Sequence, residues 1–305
     1  MSSARDRIGV VGASGYIGGA LAESLIADGH LPRLFGRRAG TAASLELEAL
    51  IPDHAQFAGL DCIVHLSGIT TSRASEDDLH RANVELAVET ARKAAAAGVK
   101  RLVFISSLHV HGKAADYSVL PDSPFKGDNA YGRSKAAAEA ALADVAAASG
   151  LELVILRPPM VYGRGSKGSF PLLAKLVRTG LPLPFAGACG KRSFCSIGNL
   201  VSAIRHVIEA TNPTLVLLPA DPEDFDTQSL TRAMASTLGR PVRLWYVPKA
   251  LLAVPLAMIG RREMITSLFE PLRIDRSHWK GQAWRPIETG MQGVRAALAP
   301  LERSA

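Results

Sequence analysis

The chain of 305 residues predicts an α/β fold: a doubly wound parallel sheet covered by helices, joined to a smaller C-terminal α/β region. Three observations predict it. Short apolar runs recur without polar alternation, as strands buried on both faces require. Helical stretches alternate with those runs along the first half of the chain. A glycine-rich turn, Gly12-Ala13-Ser14-Gly15-Tyr16-Ile17-Gly18, stands between the first run and the first helix.

Ile8-Gly9-Val10-Val11 reads as the first buried strand, and Tyr16 to Asp28 as a helix stopped by Gly29. Arg33-Leu34-Phe35 is a second short strand, followed by a short connection to a third, Cys62 to Leu66, which runs into Ser67-Gly68. Glu76 to Ala97 reads as one long helix closed by Gly98. Leu102 to Ile105 is a strand, Ala130 to Ala148 an alanine-rich helix ending near Gly150, and Leu153 to Leu156 a further strand. After Arg157-Pro158-Pro159 the character changes, and Pro, Gly and basic residues cluster up to Arg192 as loops and short helices around a cleft. Thr214 to Leu218 is one more strand, and Thr227 to Leu238 a helix before Gly239. The expected division is a nucleotide-binding region over 1–157, with contributions from about 190–220, and a substrate-binding region over 158–305.

Bulk properties narrow the classes. Hydrophobic content of 48% and charged content of 21% describe a globular protein with ample core. The N-terminus carries no signal-peptide pattern. The longest apolar stretch, Ala250 to Ile259, contains Pro255, is closed by Gly260-Arg261-Arg262, and falls short of the roughly 20 residues that span a bilayer, so no transmembrane segment is expected. Cys62, Cys189 and Cys195 lack metal-ligand spacing and read as free thiols in a reducing cytoplasm. The formal charge of +7 is scattered without a polybasic block, which argues against nucleic acid as partner. His109 and His111 have no third ligand at a recognisable spacing, so no metal is expected.

The glycine turn sits where a Rossmann-type dinucleotide fold needs it. Gly12 permits the tight turn, Gly15 lets the backbone approach a pyrophosphate, and Gly18 lets helix and strand pack closely. Ser14, Tyr16 and Ile17 belong to the same turn, whose helix N-terminus faces the phosphates. An NAD-preferring site carries an acid at the end of the second strand. Here that strand runs into Gly36-Arg37-Arg38, and arginine suits a phosphate. NADP(H) is therefore favoured, with NAD(H) as the alternative.

Chemistry is carried by Tyr131-Gly132-Arg133-Ser134-Lys135 together with Ser106-Ser107 at the end of a strand. Tyr131 and Lys135, four apart, share one helix face. The ammonium is expected to lower the phenol's pKa, so that Tyr131 exchanges a proton with a carbonyl or alcohol oxygen while a serine hydroxyl holds that oxygen. Beside a nicotinamide, this is equipment for hydride transfer.

These motifs, with Ile63-Val64-His65-Leu66-Ser67-Gly68 and Arg157-Pro158-Pro159-Met160-Val161-Tyr162-Gly163, resemble the extended short-chain dehydrogenase/reductase family, in particular its nucleotide-sugar epimerases, dehydratases and 4-keto reductases. The resemblance covers nearly the whole chain. It implies Tyr131 as general acid/base, Lys135 as its tuner and ribose ligand, and Ser107 rather than Ser106 as the catalytic serine. It implies Asn83 as a brace of the active-site backbone, and His65, Leu66 and Pro158 beside the cofactor; His65 reads equally as a satisfied core histidine. Arg192 would bind the diphosphate of a nucleotide sugar, with His109, Lys167, Ser169 and Phe170 near the same ligand. The acid common at position 198 is Gly198 here. The implied activity is NADPH-dependent reduction of a 4-keto sugar in polysaccharide-precursor synthesis. The alternatives are an NAD-dependent UDP-sugar 4-epimerase and a non-enzymatic NADP(H)-binding protein; a dehydratase fits less well, because Leu108-His109 follows Ser107 where dehydratases have an acidic pair. The family also implies a homodimer through the helices at 76–97 and 130–148, whose alanine faces suit intramolecular packing equally.

Overall fold

The computed structural model describes residues 7–42, 45–50, 53–70, 74–213, 215–258, 263–280 and 282–299. The chain divides into two compact units. The first comprises 1–112, 124–158 and 201–218; the second comprises 113–123, 159–200 and 219–305. Residues 113–123, read in the sequence as part of the nucleotide-binding region, thus belong to the second unit.

In the first unit, β1 (Ile8–Val11), β2 (Arg33–Gly36), β3 (Gly40–Ala42), β4 (Leu45–Ala49), β5 (Cys62–His65), β6 (Arg101–Ile105), β8 (Glu152–Leu156) and β11 (Val216–Leu217) form one sheet. Their order is β11-β8-β6-β5-β1-β2-β4-β3, parallel throughout except for the antiparallel β3–β4 pair. Every residue of β1 and β5 is buried, in keeping with their apolar runs Ile8–Val11 and Cys62 to Val64. The stretch between Gly36 and Cys62 is more than a connection: β4 pairs parallel with β2, and β3 pairs with β4 as the sheet's last strand.

Four helices of this unit accompany the sheet: α1 (Tyr16–Ala27), α2 (Glu76–His80), α3 (Leu86–Ala96) and α4 (Ala130–Ser149). The long helix expected over Glu76 to Ala97 is interrupted by a π-helical turn at Arg81–Glu85, which carries Asn83. Ser75 starts α2 by accepting the amide of Asp78 at 3.1 Å, and three acids in its first turn face the helix dipole. Ala87, Ala91 and Ala94 of α3 and Ala138 and Leu142 of α4 join Phe35, Phe57, Ile63 and Phe104 in one core, while Ala96, Ala137, Ala140 and Ala143 are exposed.

In the second unit, β9 (Met160–Tyr162), β10 (Arg192–Ser196) and β12 (Asp224–Phe225) form a sheet of order β12-β10-β9, and β7 (Ser118–Val119) pairs with β13 (Arg273–Ile274). Its helices are α5 (Ser169–Arg178), α7 (Thr227–Thr237), α8 (Lys249–Met258), α9 (Glu263–Phe269) and α10 (Gly290–Leu298); α6 (Ile197–Glu209) runs from its residues into those of the first unit. Asp226 and Thr289 start α7 and α10 with reciprocal side-chain caps. Tyr162, Phe170, Phe194, Leu230 and Met234 form the core. Thr214 and Ile259, at the ends of expected elements, lie outside the described residues. Among the described residues, no helix is long and apolar enough to cross a membrane.

Candidate active site

The glycine turn is tied to the sheet from both sides. Gly12, at φ +92°, and Ala13 donate to the carbonyl of Phe35 at 2.8 and 3.2 Å, and a Cβ on Gly12 would stand 2.8 Å from the amide of Ser67. A Cβ on Gly18 would sit only 2.2 Å from the Gly12 carbonyl, so α1 can lie this close to its turn only with glycine there. Ser14 and Gly15 are exposed, and no acid stands in the first turn of α1. Arg37 and Arg38, just past β2, are exposed and form no ion pair among the described residues.

Tyr131 and Lys135 lie one turn apart on α4, and the Ser107 hydroxyl stands near enough to Tyr131 to favour its ionised form. Their electrostatics differ from the sequence expectation. Burial dominates Tyr131 and pushes its phenol up to about 12, with the Ser107 hydroxyl opposing the rise. Part of the side chain still meets solvent, which limits how far desolvation acts. Lys135 does not set this value. Its ammonium donates to the Ile105 carbonyl at 2.9 Å and stands 4.6 Å from the Phe104 ring centre. Burial pulls it down to about 8, and the carboxylate of Glu139 holds it up. The correction has a physical origin: removing a phenolate from water costs more here than the lysine returns.

Glu139 belongs to a buried polar chain that the sequence did not reveal. It accepts a short bond from the Ser106 hydroxyl and a forked one from Arg157, with Nη2 to Oε2 at 2.6 Å. Arg157 also reaches His111 Nε2 at 3.2 Å and covers the face of Phe125 at 4.8 Å. The His111 Nδ1 contact with the Pro124 carbonyl, 3.2 Å, completes the run. Because arginine only donates, His111 accepts at Nε2 and donates from Nδ1. The chain thereby fixes the end of β6 and the 3₁₀ turn Leu108–His111 that follows Ser107.

Two asparagines hold the neighbouring backbone. Asn83 receives the amide of Ile69 at 2.8 Å, donates to its carbonyl at 3.0 Å, and donates to Ser134 Oγ at 2.9 Å. The π-helical turn thus directs Asn83 at the loop after β5 and at α4 together. Asn129 caps α4 by accepting the Gly132 amide at 2.6 Å. A Cβ on Gly132 would lie 2.3 Å from the His109 carbonyl, so glycine after Tyr131 allows the Ser107 turn to approach α4. An Asp-Asn pair before an alanine run was the available signal for this cap.

The remaining expected residues divide. Leu66 donates its amide to Val11 at 2.8 Å, and the Pro158 carbonyl accepts from Leu108 at 2.8 Å, so both serve the backbone around the site. His65 is buried against Phe104, and neither ring nitrogen has an aligned partner, the Ser67 backbone standing by as a weak one. It is not the satisfied core histidine allowed by the sequence; burial, then the Lys135 charge, lowers it to about 3 and keeps it neutral. His109 meets Tyr131 edge-to-face at 6.1 Å. In the second unit Lys167 and Ser169 are exposed, but Phe170 is a core residue stacked on Tyr162 at 4.7 Å. Arg192 donates to the carbonyls of Glu270 and Lys113 at 2.8 and 3.0 Å, so two of its donors brace loops. The acid missing at Gly198 has a replacement: Glu288 bonds Ser196 Oγ at 2.5 Å, and its Oε1 would lie 2.6 Å from a Cβ at 198.

Comparison with known proteins bears on this geometry. The profile of the NAD dependent epimerase/dehydratase family matches residues 8–217, more than half of the chain. The chain belongs to this family. UDP-glucose 4-epimerase of Vibrio cholerae is 36% identical over 221 residues, 68% of this chain; the match spans 65% of the length of that relative. The 4-hydroxy-2-methyl-3-oxo-4-farnesyl-3,4-dihydroquinoline-1-oxide ketoreductase of Stigmatella aurantiaca is 27% identical over 256 residues, 78% of this chain and 75% of its own. UDP-glucose 4-epimerase of Thermus thermophilus, solved with NAD, superposes with a TM-score of 0.77 over 95% of this chain and 97% of its own. Its 19% identity makes this a likeness of fold.

Membership of the NAD-dependent epimerase/dehydratase family directs attention to the glycine turn at the start of α1. Ser14 and Gly15 of that turn are exposed, and the first turn of α1 carries no acid. Tyr131, Ser107 and Lys135 lie within the same unit.

Proposed function

We propose that the protein reduces the 4-keto group of a nucleoside-diphosphate sugar with NADPH, in the cytoplasm, as a step in polysaccharide-precursor synthesis. The observation that carries the choice of cofactor and direction is the end of β2, where two exposed arginines stand in place of an acid. Their guanidinium forks suit the extra phosphate of NADP(H), the usual consumable reductant. Gly12, Ser14, Gly15, Tyr16, Ile17 and Gly18 would hold the pyrophosphate, and Lys135 the ribose. Bound there, the reduced nicotinamide supplies the hydride. Ser107 orients the carbonyl oxygen, and Tyr131 gives that oxygen its phenol proton as negative charge develops. A phenol held up to about 12 still carries its proton at neutral pH, which suits an acid in reduction. Lys135 stabilises the tyrosinate left behind. Arg192, with Lys167 and Ser169, would take the diphosphate. The similarity to a ketoreductase over 78% of the chain supports this reading.

A second reading, a UDP-sugar 4-epimerase with retained NAD, is favoured by the 36% identity to the Vibrio enzyme. The two separate in one assay. Purified protein is incubated with NADPH and a UDP-4-keto-6-deoxy sugar while the reduced-nicotinamide absorbance is followed. Loss of absorbance matched by a new UDP-sugar is the expected result. Interconversion of UDP-glucose and UDP-galactose without net loss would replace the reductase by the epimerase. Exchange of Arg37→Asp with Arg38→Ala should weaken NADPH at least about tenfold more than NADH, the worth of a charge-assisted phosphate contact.

A further inference from the structure

Two segments of the second unit combine cations with exposed apolar side chains. Residues 169–187 and 240–258 contain no Asp or Glu, and carry Lys175, Arg178, Arg240, Arg243 and Lys249. The fold joins them: Leu183 donates to Arg243 at 2.8 Å, Trp245 donates to Leu183 at 3.1 Å, and Ala186 donates to Trp245 at 3.1 Å. On the joined segments large apolar side chains face water, with Leu181 at 65% exposure, Trp245 at 57%, Tyr246 at 69%, Leu251 at 65% and Met258 at 78%. Leu251 and Met258 are seven residues apart on α8, two helical turns, and so share one face. All five cations are exposed; Lys249 pairs with Glu270 at 2.8 Å, and the other four have no acid within their own segments.

We propose that this face docks on an anionic phospholipid bilayer, with α8 lying in the interface and Trp245 and Tyr246 at headgroup level. Tryptophan and tyrosine suit that depth, because each has an apolar body and a polar tip. Leu181, Leu251 and Met258 supply apolar area, and the cations supply attraction to phosphate headgroups. A second copy fits worse. A two-fold contact would bring the same cationic patch against itself, and like charges across an interface repel. Single-stranded nucleic acid would use the cations and the aromatics but gain nothing from Leu251 and Met258. The proposal concerns attachment and does not depend on the reaction assigned above.

The test is co-sedimentation of the full chain with vesicles of phosphatidylcholine and with vesicles of equimolar phosphatidylcholine and phosphatidylglycerol, read together with tryptophan emission. Trp279 and Trp284 are buried, so a blue shift reports on Trp245. The protein should pellet with the anionic vesicles, shift its emission, and release as salt is added. Leu251→Ser with Met258→Ser should weaken binding by about tenfold or more. Arg240→Glu with Arg243→Glu should weaken it by more than about 25-fold, since each cation near an anionic surface contributes a factor of about five. Thermal melting checks folding, and the charge variant, altering only exposed side chains, keeps the test valid if the apolar one misfolds. Failure to pellet with anionic vesicles would overturn the proposal. So would full binding by both variants, or a patch-dependent dimer or RNA complex without vesicle binding.

Discussion

Tyr131 in the first unit and Tyr162 in the second are both pushed above the ordinary phenol value, chiefly by burial, yet their surroundings suit opposite purposes. Tyr162 is fully buried, its hydroxyl held by Asp221 Oδ2 at 2.7 Å and the Gly290 carbonyl at 3.0 Å. Asp221 also receives the amide of Ser196 and the side chain of Asn199, each at 2.8 Å. A carboxylate beside the phenol adds its negative charge to burial, so Tyr162 keeps its proton under all ordinary conditions. Tyr131 has a hydroxyl partner, Ser107, and the lysine one turn on. No carboxylate contributes to its shift. Acceptors surround Tyr162 and pin it, whereas the surroundings of Tyr131 suit the acid role proposed for it.

That contrast can be broken at several points. The largest effect is expected from Glu139→Gln, which leaves the guanidinium of Arg157 buried at 6% side-chain exposure without its charge partner. The cost should be about 3–5 kcal/mol of stability by denaturant unfolding, and Glu139→Gln with Arg157→Met should recover most of it. Recovery in neither chain would mean that the network matters through something other than charge pairing. Tyr131→Phe comes next, with turnover falling by about two orders of magnitude or more while the melting temperature stays near wild type. Tyr162→Phe should behave inversely, losing about 1–3 kcal/mol as Asp221 loses a donor, with turnover per folded molecule unchanged. A turnover loss there as large as at Tyr131 would erase the distinction.

The smallest effect is a pH limb. Lys135, lowered to about 8, is charged below that value and neutral above it. If, as proposed, its charge stabilises a tyrosinate left by reduction, turnover should slow as pH rises through about 8. Glu139 holds the lysine up, so the refolded Glu139→Gln, Arg157→Met pair should show the limb at lower pH. An unmoved limb would separate it from Lys135.

The sequence carried much of the fold for a simple reason. Strands buried on both faces have little choice but to be continuously apolar, and Ile8–Val11, Cys62 to Val64 and Leu102 to Ile105 show it. The β3–β4 pair escaped notice because Gly40-Thr41-Ala42 is largely exposed and lacks that constraint. The π-helical turn at Asn83 leaves no mark in a helical pattern read from residue types alone. Within the site, Tyr131 and Lys135 are recognisable because their spacing is local, and Ser107 because it closes a legible apolar strand. Glu139 was invisible: in an alanine-rich helix a lone glutamate reads as a solvated residue, and Arg157, 18 positions away, lies on another element. The same distance hid Glu288, which fills the place vacated at Gly198 from 90 residues downstream. The direction of the Tyr131 shift was missed because spacing reveals a neighbouring charge but not the loss of water around both groups.

The central physical claim is that Tyr131 holds its proton at neutral pH and is therefore poised to give it. The direct measurement is an ultraviolet difference titration of wild type against Tyr131→Phe, in which phenolate absorbance unique to the wild type reports on this one residue. No such signal is expected up to about pH 9, with ionisation only toward the value that burial imposes. Phenolate absorbance already present near pH 7 would contradict it, and would return Lys135 to the dominant role that the sequence alone suggests.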